Sequence, residues 1–114
     1  MKKLYVLVRN DISPGLQIAQ ACHAQFEFFE RYPEAKKDWE GNLVVLQVEG
    51  EENLKNWLEN TLSPRGLKAV GFREPDLNMQ LTAVAVGGKA EAHGLVSDPE
   101  QLFSSLPLAL KQSA

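Results

Sequence analysis

Two groups of residues in this chain have the types and spacing for chemistry. The first is Arg9, Asn10 and Asp11, followed by Gln17, Gln20, His23 and Glu27 in a stretch with helical periodicity. Gln20 and His23 are three residues apart, so a helix projects them from one face, with Leu16 one turn earlier on the same side. A Gln–His pair with a carboxylate nearby makes a polar site; the same spacing also describes a solvated helix face carrying one histidine. The second group is Phe72-Arg73-Glu74-Pro75-Asp76-Leu77-Asn78, two carboxylates and an arginine between apolar runs. Loops on a rigid scaffold are where binding groups collect, although Pro75 and Asp76 also suit an ordinary polar turn. Thr82, just beyond, reads as a β-branched strand residue.

Other combinations are weaker. Asp11, His23, Glu74 and Asp76 lack the paired spacing of metal ligands, so no metal and no cofactor is expected. Cys22 and His23 are adjacent, and neighbouring helical side chains point about 100° apart, so they cannot act as nucleophile and base. Cys22 is expected in the core. Gly87-Gly88 ends a strand without opening a helix, which excludes a phosphate loop. His93 gets no role.

The elements that must position these groups follow from the hydropathy pattern. Lys3 to Val8 reads as a buried strand, and ligands of open α/β sheets gather at the carboxyl ends of such strands, here Arg9 to Asp11. Ser13-Pro14 opens a helix as N-cap and first-turn proline, which Pro33 limits to about Arg31. Its expected inward face is Gly15, Ile18, Ala19, Cys22, Phe26 and Phe29. Tyr32 to Gly41 is a polar connection, with Trp39 covering one edge of the core. Asn42 to Val48 is a second strand, expected to be buried on both faces. Gly50 leads into a second helix with Leu54, Trp57, Leu58, Thr61 and Leu62 on one side, ended by Ser63-Pro64-Arg65-Gly66. Leu67 to Phe72 and Leu81 to Val86 are strands joined by a short polar loop, hence antiparallel neighbours. After Lys89 comes a weakly patterned tail, with a short helix within Pro99 to Leu106. The order implies an α/β fold with a four-stranded mixed sheet and helices packed on it, one domain over residues 1–114.

Composition bounds the function classes. A 114-residue chain with 44% hydrophobic residues is an ordinary globular domain. Its apolar runs are far shorter than the ~20 residues of a membrane span. The Lys2-Lys3 start is followed by a run cut at Arg9, unlike a signal peptide. One cysteine excludes an internal disulfide framework and suits the cytoplasm. Fifteen acids against twelve bases give a net charge of −3, without the basic excess of a dedicated nucleic-acid binder, although distribution matters more than the sum. Phe28 and Tyr32, taken as exposed aromatics on the first helix, would allow a homodimer.

Tyr5-Val6-Leu7-Val8-Arg9-Asn10-Asp11-Ile12, then Gly15, then Ala19-Gln20-Ala21-Cys22-His23-Ala24, resembles the peptidyl-tRNA hydrolase 2 family. That family has an apolar strand ending in R-x-D-L and a helix carrying A-Q-C-x-H-A, and Thr82 to Gly87 resembles its T-x-x-x-x-G block. The resemblance implies a three-layer α/β/α fold and hydrolysis of the ester between a peptidyl group and tRNA. It implies His23 as general base, oriented by Asp11 or Gln20, with Asp76 or Glu74 as the competing base on the opposite rim. Amides at the first helix's start would bind the oxyanion or a phosphate, and Arg9, Arg65, Lys68 and Arg73 would face the tRNA. Two departures stand out: Leu16 occupies the position of the family's catalytic lysine, and Arg73-Glu74-Pro75-Asp76 replaces its aspartate-glycine-threonine loop. The Ser-Pro-Gly helix start and F-R-E-P-D-L signature are similar to those of a divergent bacterial branch. The alternative to an enzyme is a binding module for RNA, a nucleotide or a protein on the same fold. Leu16 favours that alternative; Arg9, Asp11, Gln20 and His23 together favour the enzyme.

Overall fold

The computed structural model describes residues 1–110. The apolar runs form β1 (Lys3–Arg9), β2 (Asn42–Val48), β3 (Lys68–Glu74) and β4 (Gln80–Gly87), assembled as one sheet in the order β2-β1-β4-β3. β1 and β2 are parallel, with Lys3 opposite Asn42 and Arg9 opposite Val48. β4 runs antiparallel to both β1 and β3. The sheet is therefore mixed, as expected. β1 and β4 hold its centre and are buried almost throughout.

β2 departs from its expected burial on both faces. It is an edge strand, and its first residues Asn42 and Leu43 are exposed. A run of apolar residues does not distinguish a central strand from an edge that is covered from outside. Here the cover is the chain's own tail: the Gln47 N–H donates to the Pro107 carbonyl and the Ala109 N–H to that of Val45, both at 2.9 Å.

The side chains of β1 alternate between two apolar clusters. Leu4, Val6 and Val8 join Ala83 and Ala85 of β4 beneath α1 (Pro14–Arg31). Tyr5 and Leu7 join Val84 and Val86 beneath α3 (Gly50–Asn56). These are the three layers. α1 starts as expected, with the Leu16 N–H bonded to Ser13 Oγ at 3.3 Å, but its inward face is not the expected one. Gln17, Gln20, Ala21, Ala24 and Phe28 are buried, while Ile18 and Phe26 are 51% and 65% exposed. Cys22 lies at the surface rather than in the core. Phe28, expected as an exposed aromatic, is fully buried, and Tyr32 half-buried, which removes the aromatic patch that suggested a homodimer. Helix α1 carries two apolar stripes; the one turned inward includes two glutamines because the sheet supplies partners for their amides.

The connection after α1 contains α2 (Pro33–Asp38), and Trp39 packs against the α1-side cluster as expected, donating its indole N–H to the Asn42 carbonyl at 2.8 Å. α3 continues as a π turn, Trp57–Leu62, and a 3-10 turn, Ser63–Arg65, and stops at Gly66, whose φ of 74° favours glycine. Beyond β4, the tail holds more structure than its pattern suggests. β5 (Ala90–Ala92) and β6 (Leu95–Ser97) form a hairpin turned by His93 and Gly94, both at positive φ. α4 (Pro99–Leu102) follows, and Phe103 is buried edge-on against Tyr5 and Trp57. No helix among the described residues is long and apolar enough to cross a membrane.

Candidate functional site

Polar groups converge where β3 ends and β4 begins, beside the first half of α1. A bulge starts the arrangement. Phe72 pairs with Ala83 but Arg73 pairs with Leu81, so Thr82 has no residue opposite it. The extra residue re-aims the side chain: Thr82 is fully buried, with Oγ1 2.8 Å from Gln20 Oε1 and 3.4 Å from the Phe72 carbonyl. The hydroxyl donates to the amide oxygen, so the amide N–H of Gln20 points onward and donates to Glu74 Oε2 at 3.1 Å. Glu74 Oε1 accepts the Asp76 N–H at 3.3 Å, capping the 3-10 turn Pro75–Leu77. Asn78 and Met79 then take left-handed conformations, φ 54° and 60°, to reverse the chain into β4. A single line of hydrogen bonds thus runs from the buried sheet through Gln20 to a half-buried carboxylate at the rim.

The sequence model of the peptidyl-tRNA hydrolase PTH2 family matches residues 2–96. The chain belongs to that family. No curated protein matches it. The family match runs from β1 into β6 and includes every group in the hydrogen-bonded line. A peptidyl-tRNA hydrolase-like function goes with that membership.

In this peptidyl-tRNA hydrolase-like domain a second network lies at the end of β1. Arg9 donates through Nε and Nη2 to Asp11, at 2.9 and 2.8 Å, and through Nη1 to Gln80 Oε1 and the Leu81 carbonyl, at 2.8 and 3.4 Å. The hydrogen bond to Asp11 raises the Arg9 pKa, against the opposing effect of burial, and Arg9 in turn holds the Asp11 carboxyl below the usual carboxylate range. Glu51 of α3 reaches the same place, accepting the Leu81 N–H at 2.7 Å. With most of its donors taken, Arg9 is chiefly a brace tying β1 to the start of β4.

The residues singled out by sequence are therefore divided. Gln20 and Glu74 are joined; Asp11 belongs to Arg9. His23 is exposed, makes no hydrogen bond to Asp11 or Gln20 among the described residues, and stacks on Phe72 with ring centroids 4.7 Å apart. Asp76 is exposed and, among the described residues, hydrogen-bonds only through its backbone N–H, to Glu74. In the first turn of α1, Pro14 lacks an N–H, and Ser13 takes those of Leu16 and Gln17. Only Gly15 is left with a free one among the described residues. Gln17, expected on the exposed side, is fully buried, donating to the Ile12 carbonyl and accepting the Leu110 N–H, both at 2.9 Å.

The four cations also divide. Arg9 and Arg73 sit at the end of the sheet that carries the site. Lys68 lies level with Gly87 and hence with Leu4, at the far end, and Arg65 is in the turn just before it. β3 runs parallel to β1, so its first residues lie about 20 Å from its last by strand rise. A position near a strand end does not say which end. Lys68 instead lines a cavity of about 830 Å³ with Lys2, Lys3 and Lys89. No group of three or more potential metal-ligating side chains occurs among the described residues.

Thr82 is the member of the line that sequence reasoning did not assign to the site. Its signal was present: a hydroxyl in an otherwise apolar strand, Leu81 to Val86, needs a hydrogen-bond partner if the strand is buried.

Proposed function

We propose that this chain hydrolyses the ester joining a peptidyl group to the 3′-terminal ribose of tRNA, with Glu74 as general base. The hydrogen-bonded line Thr82–Gln20–Glu74 carries this reading. It orients a half-buried carboxylate at the rim of the α1–β3 junction, as a general base requires. Water attacks the ester carbonyl and gives its proton to Glu74; the tetrahedral oxyanion collapses, and the ribose oxygen leaves with that proton. The Gly15 N–H at the positive end of α1 and the Arg73 guanidinium are the protein's means of stabilising the oxyanion. Leu16, where the family has lysine, leaves that stabilisation incomplete and predicts a slow enzyme. His23 presents a flat ring face to the substrate from its stack on Phe72. The Ser13-Pro14-Gly15 and Phe72-to-Leu77 signatures support assigning it to a divergent bacterial branch, and tRNA as substrate places it in the cytoplasm, in translation.

Single-turnover cleavage of a labelled N-blocked aminoacyl-tRNA tests this. Glu74→Gln should slow cleavage at least ~100-fold, the scale of a lost general base; His23→Ala should slow it less than tenfold. A parent protein that is folded by circular dichroism but does not cleave would sink the reading and leave a binding protein on the hydrolase fold.

A further inference from the structure

A separate cavity of about 450 Å³ opens at the carboxyl ends of β1 and β2, lined by Asn10, Val48, Glu49, Asn53, Trp57 and Leu106 among others. Three observations make it a site. First, the chain leaves β1 for α1 on one face of the sheet and β2 for α3 on the other. These are adjacent parallel strands, so their ends form the crevice in which open α/β sheets hold ligands. Second, Asn10 is only 7% exposed, yet its side-chain amide makes no hydrogen bond among the described residues; its backbone N–H alone is used, to Val48. Beside it in the same wall, Gln47 Oε1 is fully buried and has no hydrogen-bond partner among the described residues; a buried polar atom without a partner is costly unless a ligand or water supplies one. Third, the wall is mixed in a particular way: the Trp57 indole, the Asn10 and Asn53 amides, and an exposed carboxylate, Glu49, at the mouth.

We infer that this cavity binds a nucleoside. The base lies against Trp57, with its polar edge on the Asn10 amide, and the vicinal ribose hydroxyls donate to Glu49. The Glu49 carboxylate at the mouth repels phosphate, so the ligand enters by its neutral base and sugar. Free nucleoside and the single-stranded 3′ end of an RNA share that chemistry. The cavity lies two to three strand spacings, ~10–14 Å, from the end of β3. For an RNA it would therefore hold a nucleotide next to the one whose ester faces Glu74. That extension rests on the proposed hydrolase reading; nucleoside binding does not.

The test is nuclear magnetic resonance titration of the parent protein with adenosine, 2′,3′-dideoxyadenosine, AMP and a short RNA with a free 3′ end. Adenosine should move the Asn10, Asn53 and Trp57 side-chain signals saturably at millimolar concentration or below. Dideoxyadenosine should bind at least ~5-fold more weakly, and Glu49→Gln, an exposed and conservative change, should abolish that difference. AMP should bind no better than adenosine. The RNA should move the same signals if the cavity serves an RNA end, and different ones if it takes only free nucleoside. Shifts confined to His23 and Phe72, tighter binding of AMP, or no change at millimolar adenosine would each overturn the assignment. None of these readouts needs hydrolysis, so failure of the enzyme reading and failure of this one are separable.

Discussion

Replacing Thr82 by valine isolates the polar line that supports Glu74. Valine matches threonine in size, so no cavity opens; what changes is the hydroxyl that donates to Gln20 Oε1 at 2.8 Å. Gln20 is 2% exposed, so water cannot take over, and an orphaned buried acceptor costs about 1–3 kcal/mol. Gln20→Leu behaves differently despite removing more. The Thr82 hydroxyl can turn to the Phe72 carbonyl, now 3.4 Å away, and half-buried Glu74 can regain water, so about 0.5–1.5 kcal/mol is expected. In the double variant no amide is left unpaired, and it should be more stable than the sum of the single changes implies, by at least ~1 kcal/mol. Urea unfolding at constant m would measure all three. Single-turnover cleavage by Thr82→Val should fall roughly tenfold, because an unanchored amide no longer orients the carboxylate. A Thr82→Val protein within ~0.5 kcal/mol of the parent, or strictly additive single variants, would refute the argument that the hydroxyl orders the line.

Leu16→Lys restores a cation at the family's lysine position and should raise the single-turnover rate at least ~10-fold if oxyanion stabilisation is limiting; an unchanged rate would mean the chemistry has been rebuilt without it. Gly71→Ala would place a Cβ 2.7 Å from Leu81 Cδ1 and 3.1 Å from Leu58 Cδ2, so overpacking should cost about 1–3 kcal/mol in urea. Asp11→Asn tests the Arg9 brace against pH. The Asp11 pKa is lowered in the folded state, so the pair stabilises above the ordinary value of 3.8 and loses that contribution as pH falls through the folded value. With Asp11 45% exposed, the loss near neutral pH should be below about 1 kcal/mol, and parent and variant should converge in acid.

The element order and the mixed sheet were legible in the sequence because β1, β4 and the two crossover units carry strong, uninterrupted patterns. Strand position was not. The apolar run of β2 looks like that of β1, yet β2 lies at the edge and is covered by Pro107 to Ala109, a contact between segments some sixty residues apart. The cations show a related limit: local pattern puts Lys68 and Arg73 at opposite ends of one strand, and only the topology says which of those ends lies level with Arg9 and the start of α1.

Helix α1 shows why the site itself was harder to read. Ile18, Cys22 and Phe26 form a stripe at four-residue spacing, and hydropathy prefers it to Gln17, Gln20, Ala21, Ala24 and Phe28, an equally regular stripe with two amides. Transfer of an amide from water is unfavourable only while its hydrogen bonds are lost. Gln20 meets Thr82 and Glu74, and Gln17 meets Ile12 and Leu110, so burying them costs little, and Phe28 with the two alanines decides the rotation. The partners lie up to 93 residues away, and no window along the sequence contains them. A glutamine spaced with small apolar residues on one helical stripe was nevertheless a visible sign. Such a residue is either misplaced or bonded from within. A bonded one of this kind holds whatever lies at its other end, which here is the carboxylate proposed to do the chemistry.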